Sequence, residues 1–350
     1  VRDSAGRIVL IGVSVLIGLI LLELGVRLTQ GSGALTHWPN IVLDERVKRA
    51  GNSRGNIVYD SNLGFAPRPG FASADLNNDE RGFRVSPAAT TASGPPILVV
   101  GDSFAQGDEV MDSETWPARL QVLTGRQVVN GAVSGYGIDQ AVLRAGKVVP
   151  EIKPATLILS FIADDVRRSQ MKRTWGAEKP YFVLEGGRLA LRNVPVPPSP
   201  RPTDTLSIWQ RLFGRSMLVD FVLRRLGWQY EWALDHERAL SSREGDDLLC
   251  PLMRRLAELK LPTLVVAEYD AYVWRDAGYA PVIRSVTEKV LACAAAAGLA
   301  TLDMYRPMEA AVKQQGVDAL YRVAHPGPNG TRLTAERIAA ELEKHRLLSP

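Results

Sequence analysis

With 350 residues, 46% of them hydrophobic and 23% charged, the chain has the composition of a globular protein long enough to bury a large core by itself. Its formal charge of +4 is small for that length, and the 42 Lys and Arg are scattered, which excludes the massed basic footprint of a nucleic-acid binder. Four histidines, two cysteines and no His-Glu-x-x-His or paired-Cys spacing leave nothing from which to assemble a metal site. Gly135-Tyr136-Gly137 lacks the downstream glycine and acid of a dinucleotide loop, so no cofactor is expected.

The N-terminal segment stands apart. Ile8 to Leu22 is an almost unbroken apolar run of about 15 residues, and Leu24 to Leu28 carries it to about 21, enough for one membrane crossing. Glu23 and Arg27 interrupt it at a spacing that lets them pair on one helix face or snorkel at the membrane surface. Arg2 and Arg7 precede the run, which favours a cytoplasmic N-terminus and export of the rest of the chain. The alternative is a cleaved signal peptide, although no small-x-small cleavage site lies close behind the run. The expectation is a single-pass anchor over residues 1–30. Cys250 and Cys293 lie beyond it in helical stretches, where a disulfide in an oxidising compartment and two buried thiols both suit them.

Residues 31–94 are rich in Gly, Asn, Pro and Asp and show little periodicity, so they read as an irregular extension, which ends near Arg81-Gly82-Phe83-Arg84. From Pro95 the pattern becomes strand, turn, helix, repeated. Apolar runs at Ile97–Val100, Val128–Val129, Leu157–Ile162, Thr263–Ala267 and Ala300–Leu302 predict buried parallel strands. Helical stretches at 113–123, 138–149, 248–259, 282–297 and 334–347 alternate with them. The alternation predicts an α/β domain over 95–350 with helices on both faces of a mainly parallel sheet. An insertion at about 172–247 breaks it. Tyr181 to Arg192 predicts a hairpin turning at Gly186-Gly187, and Val194 to Pro202 an extended proline-rich stretch. Apolar residues from Ile208 to Trp228 recur at helical spacing, which suits a helical pair packed on the core, a cap over the active site, or a surface lying on a membrane.

The chemistry-bearing residues lie at strand ends. Ile97-Leu98-Val99-Val100 empties into Gly101-Asp102-Ser103, a strand-to-turn arrangement that presents Ser103 where ligands of open α/β sheets gather. His325-Pro326 near the C-terminus supplies a candidate base. Val129-Asn130-Gly131-Ala132-Val133-Ser134-Gly135 extends from the second strand, and its Gly135 lets the backbone approach a reacting oxygen. Ile162-Ala163-Asp164-Asp165 extends from the third.

These strings, in this order, resemble the SGNH/GDSL family of serine esterases and acyltransferases, in its membrane-anchored bacterial form. The resemblance spans about Pro95 to Leu347, and Gly82-Phe83-Arg84 resembles the end of the segment that many anchored members carry before the catalytic domain. It implies a flavodoxin-like three-layer α/β/α sandwich behind one transmembrane helix. Ser103 is then the nucleophile, His325 its base, and the amides of Ser103 and Gly135 the oxyanion hole. Two positions depart from the family pattern. Asp164 stands where the family has its oxyanion-hole asparagine; a carboxylate helps there only if protonated, and otherwise caps a helix or holds Arg167 or Arg168. Arg322 stands three residues before His325, where the family has its triad aspartate, leaving Asp318, Asp303, Asp165 or a backbone carbonyl to orient the imidazole.

The resemblance thus implies an exported, membrane-tethered esterase or acyl hydrolase acting on an acyl ester or acylated envelope glycan. An O-acyltransferase using the same acyl-enzyme is the close variant, and a non-catalytic glycan- or partner-binding envelope protein the alternative from a different class.

Overall fold

The computed structural model describes residues 2–52, 55–198 and 206–348, so the expected proline-rich stretch to Pro202 falls partly outside the described residues. The chain divides into two compact units: Gly55–Lys172, Glu178–Pro198 and Arg238–Pro350 form the larger, and Val1–Arg54, Arg173–Ala177 and Ser199–Glu237 the smaller.

The larger unit is built on five apolar runs. Ile97–Val100 (β1), Val128–Asn130 (β2), Thr156–Phe161 (β3), Thr263–Ala267 (β4) and Ala300–Asp303 (β5) pair in the order β2-β1-β3-β4-β5, all parallel. Leu98 stands opposite Val129 and Leu157, and Leu264 opposite Ile158 and Ala300. This is the flavodoxin-like order, whose reversal point lies between β1 and β3. Ile97 to Val100 and Leu157 to Leu159 have no exposed surface, as strands covered on both faces must. Trp116–Thr124 packs with Pro328–Lys344, while Ser242–Ala257 packs with Ile138–Ile152 and Tyr279–Ala296, so the sandwich is three-layered as expected. A disulfide between Cys250 and Cys293 ties Ser242–Ala257 to Tyr279–Ala296, their Cα atoms 4.6 Å apart.

From Gly55 the expected extension belongs to this unit. Ile57–Asp60 pairs antiparallel with Gly64–Pro67, and Leu63, Phe65, Leu76 and Phe83 are buried. Tyr136 donates its hydroxyl to the Phe65 carbonyl at 2.5 Å, and Gln140 donates to that of Leu63 at 2.8 Å. Composition disguised the segment because its order comes from these long-range hydrogen bonds and from a few large apolar side chains, not from a periodic face. The hairpin expected between Tyr181 and Arg192 is present, turning through Gly186 and Gly187 in the left-handed region.

The smaller unit carries the N-terminal helix, Arg2–Thr29, with the helices Ile41–Asn52, Ile208–Phe213, Met217–Arg225 and Gln229–Ala233. Gly6–Thr29 has a mean hydropathy of 2.7 and is almost wholly exposed; a helix of this length and composition serves as a membrane span or as a signal sequence. Of the three alternatives for 208–228, exposure speaks against the core-packed pair. Trp209 is 61% exposed and Trp228 59%, and no residue of Met217–Arg225 is buried.

Candidate active site

β1 runs into Gly101, where a Cβ would strike the carbonyl oxygen of Ser160 on β3, so a glycine is needed for the chain to turn there. Asp102 caps the short helix Ser103–Gln106, its Oδ1 accepting from the Phe104 N–H at 2.9 Å. Ser103 is therefore the first helical residue beyond β1, at the point where the strand order reverses, and its N–H has no acceptor within the helix.

The turn Tyr321–Pro326 brings His325 to it from 222 residues away. His325 Nε2 lies 2.9 Å from Ser103 Oγ, and His325 Nδ1 lies 2.9 Å from Glu109 Oε1. Glu109 Oε2 accepts from the Val323 N–H at 2.9 Å and the Ala324 N–H at 3.4 Å, so one carboxylate holds both the imidazole and its loop. The Phe104 ring packs on the imidazole, centroids 4.7 Å apart. Burial opposes the imidazolium, but the Glu109 hydrogen bond and the charges of Asp108, Glu109 and Asp102 outweigh it, and the His325 pKa is raised. Burial likewise opposes the Glu109 carboxylate, yet the hydrogen bond and charge of His325, with the two loop amides, leave its pKa lowered. Each partner favours the charged form of the other.

Glu109 sits on a loop with a left-handed backbone, φ 68°, directly after the Ser103 helix. Arg84, the arginine of the Gly-Phe-Arg string, is buried beneath that loop. Its Nη1 donates to the carbonyls of Gln106 and Gly107 at 2.9 and 2.6 Å, its Nη2 to those of Val110 and Asp75 at 2.8 and 2.7 Å, and its Nε to Asp112 at 2.8 Å. The carbonyls of Gly107 and Val110 flank Glu109 on either side, so Arg84 sets the path of the loop that presents it.

Gly135 is also in the left-handed region, φ 86°. The Val133 N–H donates to the Gly101 carbonyl at 3.0 Å and the Ser134 N–H to Gln106 Oε1 at 2.6 Å, which ties the loop carrying Gly135 to the turn carrying Ser103. Asp164 is drawn elsewhere. Its Oδ1 accepts from Arg167 Nε at 2.7 Å, and its Oδ2 lies 2.9 Å from Arg168 Nη2. Arg168 also pairs with Asp165 at 2.6 Å and approaches Asp102 at 3.6 Å, so it serves three carboxylates. Burial raises the pKa of Asp165 well above the usual range and that of Asp102 less, against the pull of Arg168. Burial also pushes Glu268 up to about 7, where its Oε1 accepts from Ser160 and Trp116.

The other acids weighed from sequence are engaged away from His325: Asp318 with Arg275 at 2.7 Å, Asp303 with the Tyr269 hydroxyl at 2.7 Å, and Asp165 with Arg168. Arg322 is exposed and contributes its N–H to the His325 carbonyl at 2.9 Å. Glu109 was missed because nothing local marks it. Its one signal is position, an acid six residues after Ser103 in a Gly-Asp-Glu loop outside any periodic element.

No protein-family model matches the chain, and no curated protein matches it in sequence. Among solved structures it is similar to the lipase/acylhydrolase from Enterococcus faecalis, at 15% identity over 72% of this chain and 97% of that one, with a TM-score of 0.42. It is also similar to an acetylxylan esterase from Geobacillus stearothermophilus, at 14% identity over 72% and 96%, TM-score 0.45. A third is the psychrotrophic esterase from Pseudoalteromonas, at 12% identity over 72% and 99%, TM-score 0.39. Likeness this remote carries no weight by itself, and the flavodoxin-like α/β assignment stands on the strand order of the chain.

Proposed function

We propose that the chain is an SGNH-type ester hydrolase working through an acyl-enzyme on Ser103. The observation that supports this reading is the unbroken relay from Ser103 Oγ through His325 to Glu109, both links at 2.9 Å. In the proposed mechanism His325 Nε2 takes the Ser103 proton as Oγ adds to the acyl carbonyl carbon. Glu109 holds the Nδ1–H tautomer and stabilises the imidazolium. The imidazolium then gives its proton to the departing alkoxide oxygen, leaving the ester of Ser103. Water, deprotonated by His325, attacks that ester; the free acid leaves and Ser103 regains its proton.

The N–H groups of Ser103 and Gly135 are the proposed oxyanion donors. Asp164, engaged by two arginines, adds none, and one missing donor costs about 10²–10³ in rate. Slow turnover is therefore expected of this enzyme.

The reading extends to an exported protein tethered by Arg2–Thr29. The exposed apolar helix supports it, and the Cys250–Cys293 disulfide suits an oxidising compartment. An acylated envelope glycan is the proposed substrate, and a sugar hydroxyl replacing water in the second step would make the same site an O-acyltransferase. Mass analysis of products with and without a glycan acceptor separates the two.

The test is hydrolysis of p-nitrophenyl acetate by the full chain in detergent, with labelling by a fluorophosphonate. Wild type should turn over and take one label, and Ser103→Ala should do neither. Equal rates in both proteins and no label on Ser103 would overturn catalysis and leave a binding role.

A further inference from the structure

The two charged residues that interrupt the apolar run, Glu23 and Arg27, are buried within the smaller unit. Arg27 is fully buried and Glu23 is 8% exposed, whereas Ile8 to Leu22 face outward. Arg27 Nε donates to Glu23 at 2.7 Å, and its Nη atoms donate to the carbonyls of Ala34, His37 and Arg215 at 2.7, 3.1 and 2.6 Å. Its guanidinium lies 3.4 Å from the Trp38 ring centroid. Glu23 accepts from Ser216 Oγ at 2.7 Å and from the N–H groups of Met217 and Leu218 at 3.0 and 2.9 Å. Residue 23 thereby caps the helix Met217–Arg225. The insertion is fastened to the apolar helix just where that helix stops being uniformly apolar.

The helices Ile208–Phe213 and Met217–Arg225, with Trp228 just beyond the second, turn apolar side chains to the outside beside this junction. Ile208, Trp209, Leu212, Phe213, Phe221 and Trp228 are each at least 45% exposed, and Trp209 stacks on Phe213. Arg211, Arg215, Arg224 and Arg225 are interleaved with them, against Asp220 and Glu231 alone over 206–233. Exposed tryptophan and phenylalanine among arginines is the composition of helices that lie in the headgroup layer of an anionic bilayer. A water-facing helix would leave this surface uncompensated.

We propose that Ile208–Phe213 and Met217–Arg225 form an interfacial platform, embedded in the headgroup region of the leaflet where the N-terminal helix emerges. The Glu23–Arg27 pair sets its depth, and because the pair is buried in protein the helix carries two charges without exposing either to lipid. The chain would then hold its membrane by two attachments, one crossing it and one lying on it. The inference rests on reading Arg2–Thr29 as a span.

The experiment uses the full chain in vesicles of phosphatidylglycerol and phosphatidylcholine, the latter carrying bromines near the headgroup. Flotation after an alkaline wash reports on the span alone. Bromine quenching of tryptophan fluorescence reports on the platform, since among the tryptophans only Trp38, Trp209 and Trp228 are exposed. The paired substitution Trp209→Phe and Trp228→Phe keeps both positions aromatic, and the quenched fraction should fall by about two thirds, interfacial tryptophans being those within reach of such lipids. Unchanged quenching with flotation intact overturns the platform and spares the span. Loss of flotation overturns the span reading and the platform with it.

Discussion

Glu109→Gln is the substitution that most directly tests the proposed site. It keeps size and shape but exchanges one acceptor oxygen for an NH₂ donor. Both Glu109 oxygens are in use, one on His325 Nδ1 and the other on the amides of Val323 and Ala324. If the NH₂ faces the amides, three donors oppose one another and the loop loses its tie. If it faces the imidazole, it donates to Nδ1 and moves the ring proton to Nε2, where His325 can no longer accept from Ser103. Either arrangement removes the carboxylate that stabilises the imidazolium. The expected fall in kcat/KM is about 10²–10⁴, or about 3–5.5 kcal/mol of transition-state stabilisation.

The pH profile adds a second readout with a defined sign. In the wild type His325 is raised by Glu109 against burial, so activity should fall as pH drops through a value above the ordinary 6.5 of the group. The variant keeps the burial and loses the largest opposing influence, so its acid limb must move to lower pH. Steady-state hydrolysis of p-nitrophenyl acetate between about pH 5 and 9 measures both effects. A variant within threefold of wild type, or one whose acid limb stays in place, would refute Glu109 as the acid of the relay.

The geometry dictates three further outcomes. Arg84→Met takes one donor from each of four carbonyls and from Asp112, so kcat should fall at least about tenfold and the acid limb shift in the same direction as in Glu109→Gln. Arg84→Lys should recover part of both, and a lowered melting temperature with an unmoved pH limb would reduce Arg84 to a purely structural role. Asp164→Asn should raise kcat/KM, by up to about the 10²–10³ that one oxyanion donor is worth, because an amide can donate to an oxyanion and the relay does not run through this residue; a loss matching that of Glu109→Gln would overturn the view that Asp164 stands outside the relay. Replacing Cys250 and Cys293 by serine removes a crosslink closing 43 residues, worth about 4 kcal/mol on the chain-entropy account and about 6 °C in Tm, with kcat nearly unchanged. Identical melting curves for the pair of serines and the oxidised parent would sink that account.

Much of the fold was legible because parallel strands buried on both faces are continuous apolar runs, and β1, β3 and β4 needed no further information. Ser103 and His325, which the fold brings together, were legible because each sits in a short string whose local shape suits its proposed use: a strand ending in glycine, and a histidine in a proline turn. The 208–228 helices were not, since apolar residues at helical spacing look alike whether the face meets a core or a membrane. Residues 55–94 were misleading for a different reason. Their order comes from Phe65, Phe83 and Arg84 reaching distant partners, and such contacts leave no period in the sequence. The Glu23–Arg27 spacing did announce a pair, but its burial depended on Ser216, almost two hundred residues away.

The displacement of the proposed acid has a physical logic. An imidazole needs only one well-placed carboxylate oxygen at Nδ1, and the fold does not dictate which loop supplies it. With Arg322 three residues before His325, the turn itself offers a cation that points to solvent. The loop after the Ser103 helix lies at the same end of the sheet, and Glu109 crosses the gap. That route holds a non-glycine residue at φ 68°, a conformation costing about 1–2 kcal/mol. The loop also has no strand of its own to keep it in place. Five donations from buried Arg84 and the contact of Ser134 Oγ with Asp108 at 2.8 Å supply what a strand would have provided. On this account the Gly-Phe-Arg string belongs to the proposed catalytic apparatus at one remove. An acid borrowed from a flexible loop would orient the histidine only part of the time, and Arg84 is what makes the loan permanent.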